Sequence, residues 1–326
     1  MSLQTRNKVN LHKLLAPAVL VVMYLFFALF GKNFFSTYTL KTILESAYYT
    51  GLMSFGITFV IITGGIDLSI GTNMMCAAIV GGVVFSMWGL PLWLALFLVP
   101  ISGLLFGLLN GFLVAKTKLP PFIATLGTML VTQGFGSIIS RVQTQRYPTI
   151  GTADEWFKTI FYRTGTFPTG AVYLIAAFII AAFVLNKTRF GRYVYAIGSN
   201  EEATRLSGVK VDKYKMMAYA VCGLFCGFGA ILYAATYTTA IPGTGNGLET
   251  YAIAAVVIGG TSMAGGSGTM VGTLIGIFIM AVLKAGLSSM GLQAHWQTFF
   301  TGVVVIGAVL MDNLRNKAAQ KVKIKA

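Results

Sequence analysis

Residues 92–115 read LWLALFLVPISGLLFGLLNGFLVA, twenty-four residues without a charge, and this stretch decides the class of fold. An α-helix rises about 1.5 Å per residue, so the run is long enough to cross the roughly 30 Å hydrocarbon core of a bilayer. Nine further apolar stretches predict spans: residues 14–30, 43–62, 66–88, 121–140, 170–186, 214–236, 250–264, 269–289 and 298–312. The stretch 250–264 is interrupted by Gly259, Gly260, Gly265 and Gly266 and reads as a broken helix. Counting it places both termini on one side; omitting it separates them. The predicted fold is an all-α polytopic membrane protein of about ten transmembrane helices, one transmembrane domain over residues 1–326.

Composition agrees. Of 326 residues 56% are hydrophobic and 10% charged, and mean hydropathy is +0.77. A soluble domain carries about 25% charged residues, so lipid must be the solvent for most of the chain. The first apolar run, Leu14 to Phe30, follows basic residues as a signal peptide would. It is as long as a span and ends in aromatic rather than small residues, which predicts a retained helix.

The net charge of +15 raises nucleic-acid binding, and the position of the charges argues against it. With the N-terminus inside, the cytoplasmic segments hold Arg6, Lys8 and Lys13, then Lys116 and Lys118. The 187–215 loop adds Lys187, Arg189, Arg192, Arg205, Lys210, Lys213 and Lys215, and the tail adds Arg315, Lys317, Lys321, Lys323 and Lys325. These are seventeen of the 24 Lys and Arg, the asymmetry expected when positive residues are retained inside. No nucleic-acid partner is needed to explain them.

The thiols Cys76, Cys222 and Cys226 lie in apolar stretches and read as small core residues, and two histidines (His12, His295) cannot build a His-rich metal site. The chain has no phosphate-cradling Gly-x-x-x-x-Gly-Lys-[Ser/Thr] loop, no His-Glu-x-x-His site and no Gly-x-Ser-x-Gly elbow, so neither an ATPase nor an intramembrane enzyme is expected, and no cofactor or metal. Glycines recur at spacing four (Gly103, Gly107, Gly111; Gly223, Gly227; Gly268, Gly272, Gly276), which allows the close backbone approach that joins helices in lipid; intramolecular packing is preferred to a dimer seam. An echo between Gly64–Thr72 and Gly259–Gly266, each a glycine pair after an apolar helix, suggests a five-plus-five inverted repeat.

Nine acids are few enough to read singly. Asp67, in Gly65-Ile66-Asp67-Leu68-Ser69, could lie in a permeation path, but its place at a helix start favours a cap. Glu249 precedes Tyr251 on the outer side; Glu45 and Lys284 lie in or beside spans, where ionisable groups face protein or water. In the long cytoplasmic loop Ser199-Asn200-Glu201-Glu202 has the form of a capping box, and the short helix it starts stops at Gly208. It carries Glu201, Glu202 and Arg205 with an apolar tip of Leu206 and Val209, and fits equally a connector and a docking element. Outside, Thr152 with Glu155 forms a second box, opening a helix whose Trp156, Phe157, Ile160 and Phe161 fit a membrane interface.

At GGIDLSIG (64–71), PFIATLG (121–127), TRFGRYVYAIGSNEEATRLSG (188–208) and AIAAVVIGGTSMAGG (252–266) the chain resembles the permease subunits of ribose-type ATP-binding-cassette importers. The resemblance implies a multi-pass permease of the cell (plasma or inner) membrane, passing a monosaccharide or related small polar solute and working as a homodimer or with a similar permease. Its implied partners are two cytoplasmic ATPase subunits or one fused tandem ATPase, an external sugar-binding protein, and membrane lipid. By the same resemblance the 187–215 loop is the coupling segment that inserts into the ATPase, with Arg192, Tyr195, Ala196, Gly198, Asn200, Glu201, Ala203 and Gly208 matching and Glu202 and Arg205 beside them. Asp67, Ser69, Glu249 and Tyr251 are the candidates for the path or gate; many relatives carry an acid at the position of Tyr251. The rival readings are a secondary transporter driven by an ion gradient, suggested by the glycine-broken segments and Asp67, and a non-transporting scaffold.

Overall fold

The computed structural model describes residues 11–162 and 168–325. Arg6 and Lys8 lie outside the described residues, as do the side chains of His12, Lys13, Arg315, Lys317, Lys321, Lys323 and Lys325. In chain order the helices are α1 (Leu11–Phe30), α2 (Thr37–Ile62), α3 (Ile70–Gly82), α4 (Leu92–Ala115), α5 (Pro121–Ile139), α6 (Trp156–Phe161), α7 (Thr169–Lys187), α8 (Arg189–Ser199), α9 (Glu201–Leu206), α10 (Val211–Tyr237), α11 (Leu248–Ile258), α12 (Met270–Ser289) and α13 (Ala294–Lys325). Two short strands, β1 (Gln145–Arg146) and β2 (Thr239–Ala240), pair antiparallel.

Seven helical stretches among the described residues are long and apolar enough to cross a membrane: Ile70–Met87, Leu92–Ala115, Pro121–Ile139, Thr169–Lys187, Val211–Tyr237, Met270–Ser289 and Ala294–Asp312. The expected span 92–115 coincides with α4. Helix α2 is 26 residues long but less apolar, because it carries Lys41, Glu45 and many hydroxyl side chains; eighteen of its residues are buried. Its hydroxyls bond back one turn, Thr50 to Ser46 O (2.5 Å), Ser54 to Thr50 O (2.7 Å) and Thr58 to Ser54 O (2.6 Å), so no polar atom in this ladder is left bare.

Two expected spans are corrected. The stretch 66–88 is helical only from Ile70, because Ile66–Ser69 turn around the Asp67 carboxylate; its far end, Val83–Met87, widens into a π-helical turn. The stretch 250–264 is helical only as α11, eleven residues or about 16 Å, half of what a bilayer requires. Residues 259–269 continue from it as irregular backbone to the start of α12.

Glycine fixes the tightest packing. A Cβ on Gly223 of α10 would lie 2.2 Å from the Gly103 carbonyl of α4, and one on Gly227 would lie 2.5 Å from the Cα of Pro100, so these helices touch backbone to backbone. Gly276 of α12 meets Ala255 of α11 in the same way. The spacing-four glycines therefore serve packing inside this chain, and all three cysteines are buried there unpaired.

Helix ends sort into two sets. At one end Gly266 N–H donates to Ile62 O (2.8 Å), Lys118 pairs with Asp212 (2.7 Å), and Ser262 Oγ and Met263 N–H reach the Asp312 carboxylate. At the other, Lys32 N–H donates to Ser289 O (2.9 Å), β1 meets β2, and Gln133 Nε2 donates to Gly243 O. Helices α8 and α9 belong to the first end.

The second capping box is not formed. Thr152 Oγ1 donates to Thr149 O, the Glu155 carboxylate accepts from Gly151 N–H, and α6 begins without a side-chain cap. Nor is α6 simply an interface helix: Phe157 is fully buried, its ring 5.6 Å from that of Tyr147, while Trp156 and Ile160 stay exposed.

Candidate functional site

The long loop folds into two helices joined at Asn200. Thr188 caps α8 by accepting from Gly191 N–H (3.2 Å), and α8 buries Gly191, Val194 and Ile197 at spacing three. Phe190 stacks on Phe59 of α2, and Tyr195 Oη donates to Gly268 O (2.7 Å). At the far end of α8 a Cβ on Gly198 would lie 1.8 Å from Ile62 O and 2.4 Å from Gly266 N. Gly265 in turn packs against Gly64, so the two glycine-rich stretches that echo each other in sequence meet under the end of α8.

The cap of α9 differs from the expected box by one residue. Ser199 closes α8; Asn200 is the N-cap, its Oδ1 accepting from Ala203 N–H (2.9 Å), and Glu202 points outward without an ion pair among the described residues. The physical reason lies in the backbone: Asn200 has the extended conformation of an N-cap (φ −162°, ψ 102°), whereas Ser199 is still helical. Gly208, at φ +81°, ends the segment as expected. The tip is Leu206, 84% exposed; Val209 is half-buried and does not share it.

An ion-pair chain clamps α9 to the bundle. Lys215 of α10 contacts Glu201 at 2.5 Å, Arg205 contacts Glu201 at 3.1 Å and Asp212 at 3.4 Å, and Asp212 continues to Lys118, which follows α4. Burial raises the proton affinity of Glu201, but its hydrogen bond to Lys215 and that residue's charge, then Arg205, outweigh it and hold the carboxyl below its ordinary value. Arg192 is exposed on α8. The expected coupling residues thus divide: Tyr195, Asn200, Glu201 and Arg205 hold the segment in place, while Arg192, Glu202 and Leu206 face outward.

The candidate path residues form a second, buried group. Asp67 does not cap α3, contrary to expectation. Its Oδ1 accepts from Ser69 N–H (2.9 Å) and Ser69 Oγ (2.7 Å), a local turn that ends before the helix begins, and Ser69 itself makes no capping bond. Asn110 of α4, which sequence reasoning missed, donates through Nδ2 to both Asp67 oxygens and to Ser69 Oγ. The group has no exposed surface, no cation pairs with Asp67 among the described residues, and Asn110 Oδ1 is left without a partner. Forty-three positions separate the two residues, and no local pattern announces such a contact.

Glu249 lies in the first turn of α11, where its carboxylate accepts from Gly247 N–H (2.8 Å) and complements the positive helix end. A Cβ on Gly71 would touch both that carboxylate and Gly245 O, so the starts of α3 and α11 meet inside the bundle. Tyr251, two residues on, presents its ring to Lys284 Nζ at 5.8 Å. Asp67 and Ser69 are therefore gathered together; Glu249 and Tyr251 stand on a separate element.

A bundle of long apolar helices with broken segments, carrying a capped and clamped protrusion at one end, is an arrangement that transporters use. The profile of the family described as "Branched-chain amino acid transport system / permease component" matches residues 39–309. The chain belongs to this permease family. It is similar to the ribose import permease protein RbsC of Escherichia coli strain K12, with 39% identity over 90% of this chain and 91% of the relative, and to RbsC of Bacillus subtilis, with 39% identity over 92% of each. The fructose import permease protein FrcC of Rhizobium meliloti is 34% identical over 93% of this chain and 86% of that relative. No solved structure gives a significant match. The protein is thus a multi-pass membrane permease and a transport subunit of the ATP-binding-cassette importer class.

Proposed function

We propose that this permease forms the translocation path for a monosaccharide or related small polar solute in an ATP-driven importer. The carrying observation is full-length similarity to permeases named for ribose, fructose and galactose import. ATP is hydrolysed by separate cytoplasmic subunits, two chains or one fused tandem chain. An external binding protein delivers the solute, and a second permease copy, or a similar permease, completes the path.

In this reading residues 1–326 act as one permease unit of ten passes in a five-plus-five inverted arrangement, with both termini cytoplasmic. The alternation of helix ends supports it: each crossing carries the chain from the α8–α9 end to the opposite end or back, provided α11 and residues 259–269 count together as one crossing. The α8–α9 end faces the cytoplasm, where Lys187, Arg189, Arg192, Lys210 and Lys213 gather.

Closure of the ATPases presses on the exposed face of α9. The load passes through Glu201 and Lys215 to α10, through Arg205 and Asp212 to Lys118 at the α4–α5 loop, and through Gly198 to α2 and the 265–266 turn. Asp67, Ser69 and Asn110 hold the start of α3 against α4, so this buried knot keeps the inner gate shut until α4 moves. Reconstitution of the permease with ATPase and binding protein tests the proposal: ATP-dependent accumulation of a radiolabelled monosaccharide supports it, and accumulation driven by a proton or sodium gradient without ATP would overturn it.

A further inference from the structure

At the α8–α9 end a cavity of about 270 Å³ is lined by Tyr193 of α8, by the turn 207–210 that follows α9, and by Lys213 and Tyr214 in the first turn of α10. The ion-pair chain that clamps α9 does not use its two lysines. Neither Lys210 nor Lys213 makes an ion pair among the described residues. No carboxylate lines the cavity, and Asp212, which lies between the two lysines in sequence, is engaged by Lys118 and Arg205.

The tyrosine wall is anchored in the core of the bundle. The Tyr193 and Tyr214 rings are 4.6 Å apart between centroids, Phe190 lies 6.5 Å from Tyr214, and Phe190 stacks at 5.7 Å on Phe59, which is fully buried in α2. The facing wall is the turn after α9, which Gly208 makes possible at φ +81° and half-buried Val209 backs. Whatever fills the cavity therefore touches the end of α9, the start of α10 and, through the row of rings, α2.

Two cations without partners, on a cavity without acids, call for an anion. The volume equals that of roughly nine waters, which suits a phosphate with its ester oxygens and is too small for a helix. Depth points to the source. From Met216 to Tyr237 α10 carries no charge, so Lys213 stands about one turn outside the apolar run, at the level of bilayer headgroups. Tyrosines favour that level, with the ring on the apolar side and the hydroxyl on the wet one. Arg189 and Arg192, on the same helix as Tyr193, raise the local positive potential without lining the cavity.

We propose that this cavity seats the phosphate of an anionic membrane lipid, held by Lys210 and Lys213 against the Tyr193 and Tyr214 rings. The proposal rests on the α8–α9 end lying at a membrane surface and is independent of the solute carried. A lipid so held braces the turn between α9 and α10, the two helices that the Glu201–Lys215 contact also joins.

Two measurements test it. In native mass spectrometry of the full-length permease in mild detergent, the first dioleoylphosphatidylglycerol should bind at least fivefold more tightly than dioleoylphosphatidylcholine. A lysine beside an anionic headgroup is worth roughly fivefold, so Lys210→Gln with Lys213→Gln should weaken phosphatidylglycerol about ten- to thirtyfold. Lys210→Arg with Lys213→Arg should stay within twofold of the parent. So should Lys187→Gln with Arg189→Gln, which removes two charges at the same end but outside the cavity. All four positions are exposed, so these variants leave the packing intact. In nanodiscs, adding phosphatidylglycerol to phosphatidylcholine should slow hydrogen exchange of amides 207–213 at least threefold in the parent and not in the Lys210→Gln, Lys213→Gln variant. Equal lipid binding in that variant and the parent, equal loss in both Gln pairs, or unchanged exchange in the parent would overturn the site. Displacement of the lipid by millimolar inorganic phosphate would overturn it in favour of a free anion, and its loss on assembly with the ATPase in favour of that partner's acids. Neither measurement uses ATP or sugar, so failure of the import reading would leave both results standing.

Discussion

Reversing one charge, Glu201→Lys, tests whether α9 is held by the ion-pair chain. The variant removes contacts to Lys215 (2.5 Å) and Arg205 (3.1 Å) and places a third cation beside them. The Glu201 side chain is 39% exposed, so each lost pair is worth only about 0.2–1 kcal/mol and each new repulsion a similar amount. The total, about 1–3 kcal/mol, corresponds to a 5- to 150-fold shift from docked to undocked α9. Six residues cannot sustain a helix alone, and apart from the Asn200 cap the buried Thr204 is the segment's main anchor. Hydrogen exchange should show amides 201–208 losing protection by that factor while α10 is unchanged. In proteoliposomes the sugar moved per ATP hydrolysed should fall, and Glu201→Lys with Lys215→Glu should restore much of both. Glu202→Lys, which breaks no ion pair, should leave exchange unchanged and weaken only ATPase binding. Unaltered exchange and unaltered coupling in Glu201→Lys would refute the clamp.

Acid should release the same contact. A carboxyl whose proton affinity is lowered by folding contributes stability that is full above its unfolded value, ordinarily 4.5, and is lost as pH falls through its lower folded value. Protection of 201–208 should therefore be level from about pH 8 to 5 and decline only below about 4.5, as read by pH-dependent exchange. Gly198→Val drives a side chain into Ile62 O and Gly266 N, and overpacking of this kind should destabilise the junction by about 1–3 kcal/mol, seen as a lower thermal midpoint in detergent and loss of coupled transport. Asn110→Leu strips the buried Asp67 carboxylate of its amide partner and should cost about 1–3 kcal/mol; adding Asp67→Asn should recover part of the thermal midpoint.

Much of the bundle was legible because lipid imposes a strong length rule. Helix α4 carries no charge and its boundaries emerge directly from residues 92–115, whereas α2 carries Glu45, tyrosines and a ladder of hydroxyls that blur its start. Local signals failed where backbone conformation chose between neighbours. Ser199 and Asn200 are both good caps, and only the extended backbone at Asn200 settles the matter. Asp67 looked like a cap because acids favour helix starts, yet the chain turns on itself first and the carboxylate is completed from α4. The stretch 250–264 declared its break through glycine but not its depth, since the meeting of Gly71 with Gly245 and Glu249 joins segments far apart in the chain. Glu201 and Glu202 read alike as docking acids; the difference between a clamped and a free carboxylate lies wholly in tertiary placement.

The central claim is that this chain is a passive conduit moved by an ATPase it does not contain. Vesicles holding the permease, its ATPase and its binding protein, loaded with a labelled monosaccharide outside, give the most direct measurement. Concentrative uptake should appear with ATP and vanish when either partner or the nucleotide is omitted. Concentrative uptake by the permease alone under an imposed ion gradient would contradict the account.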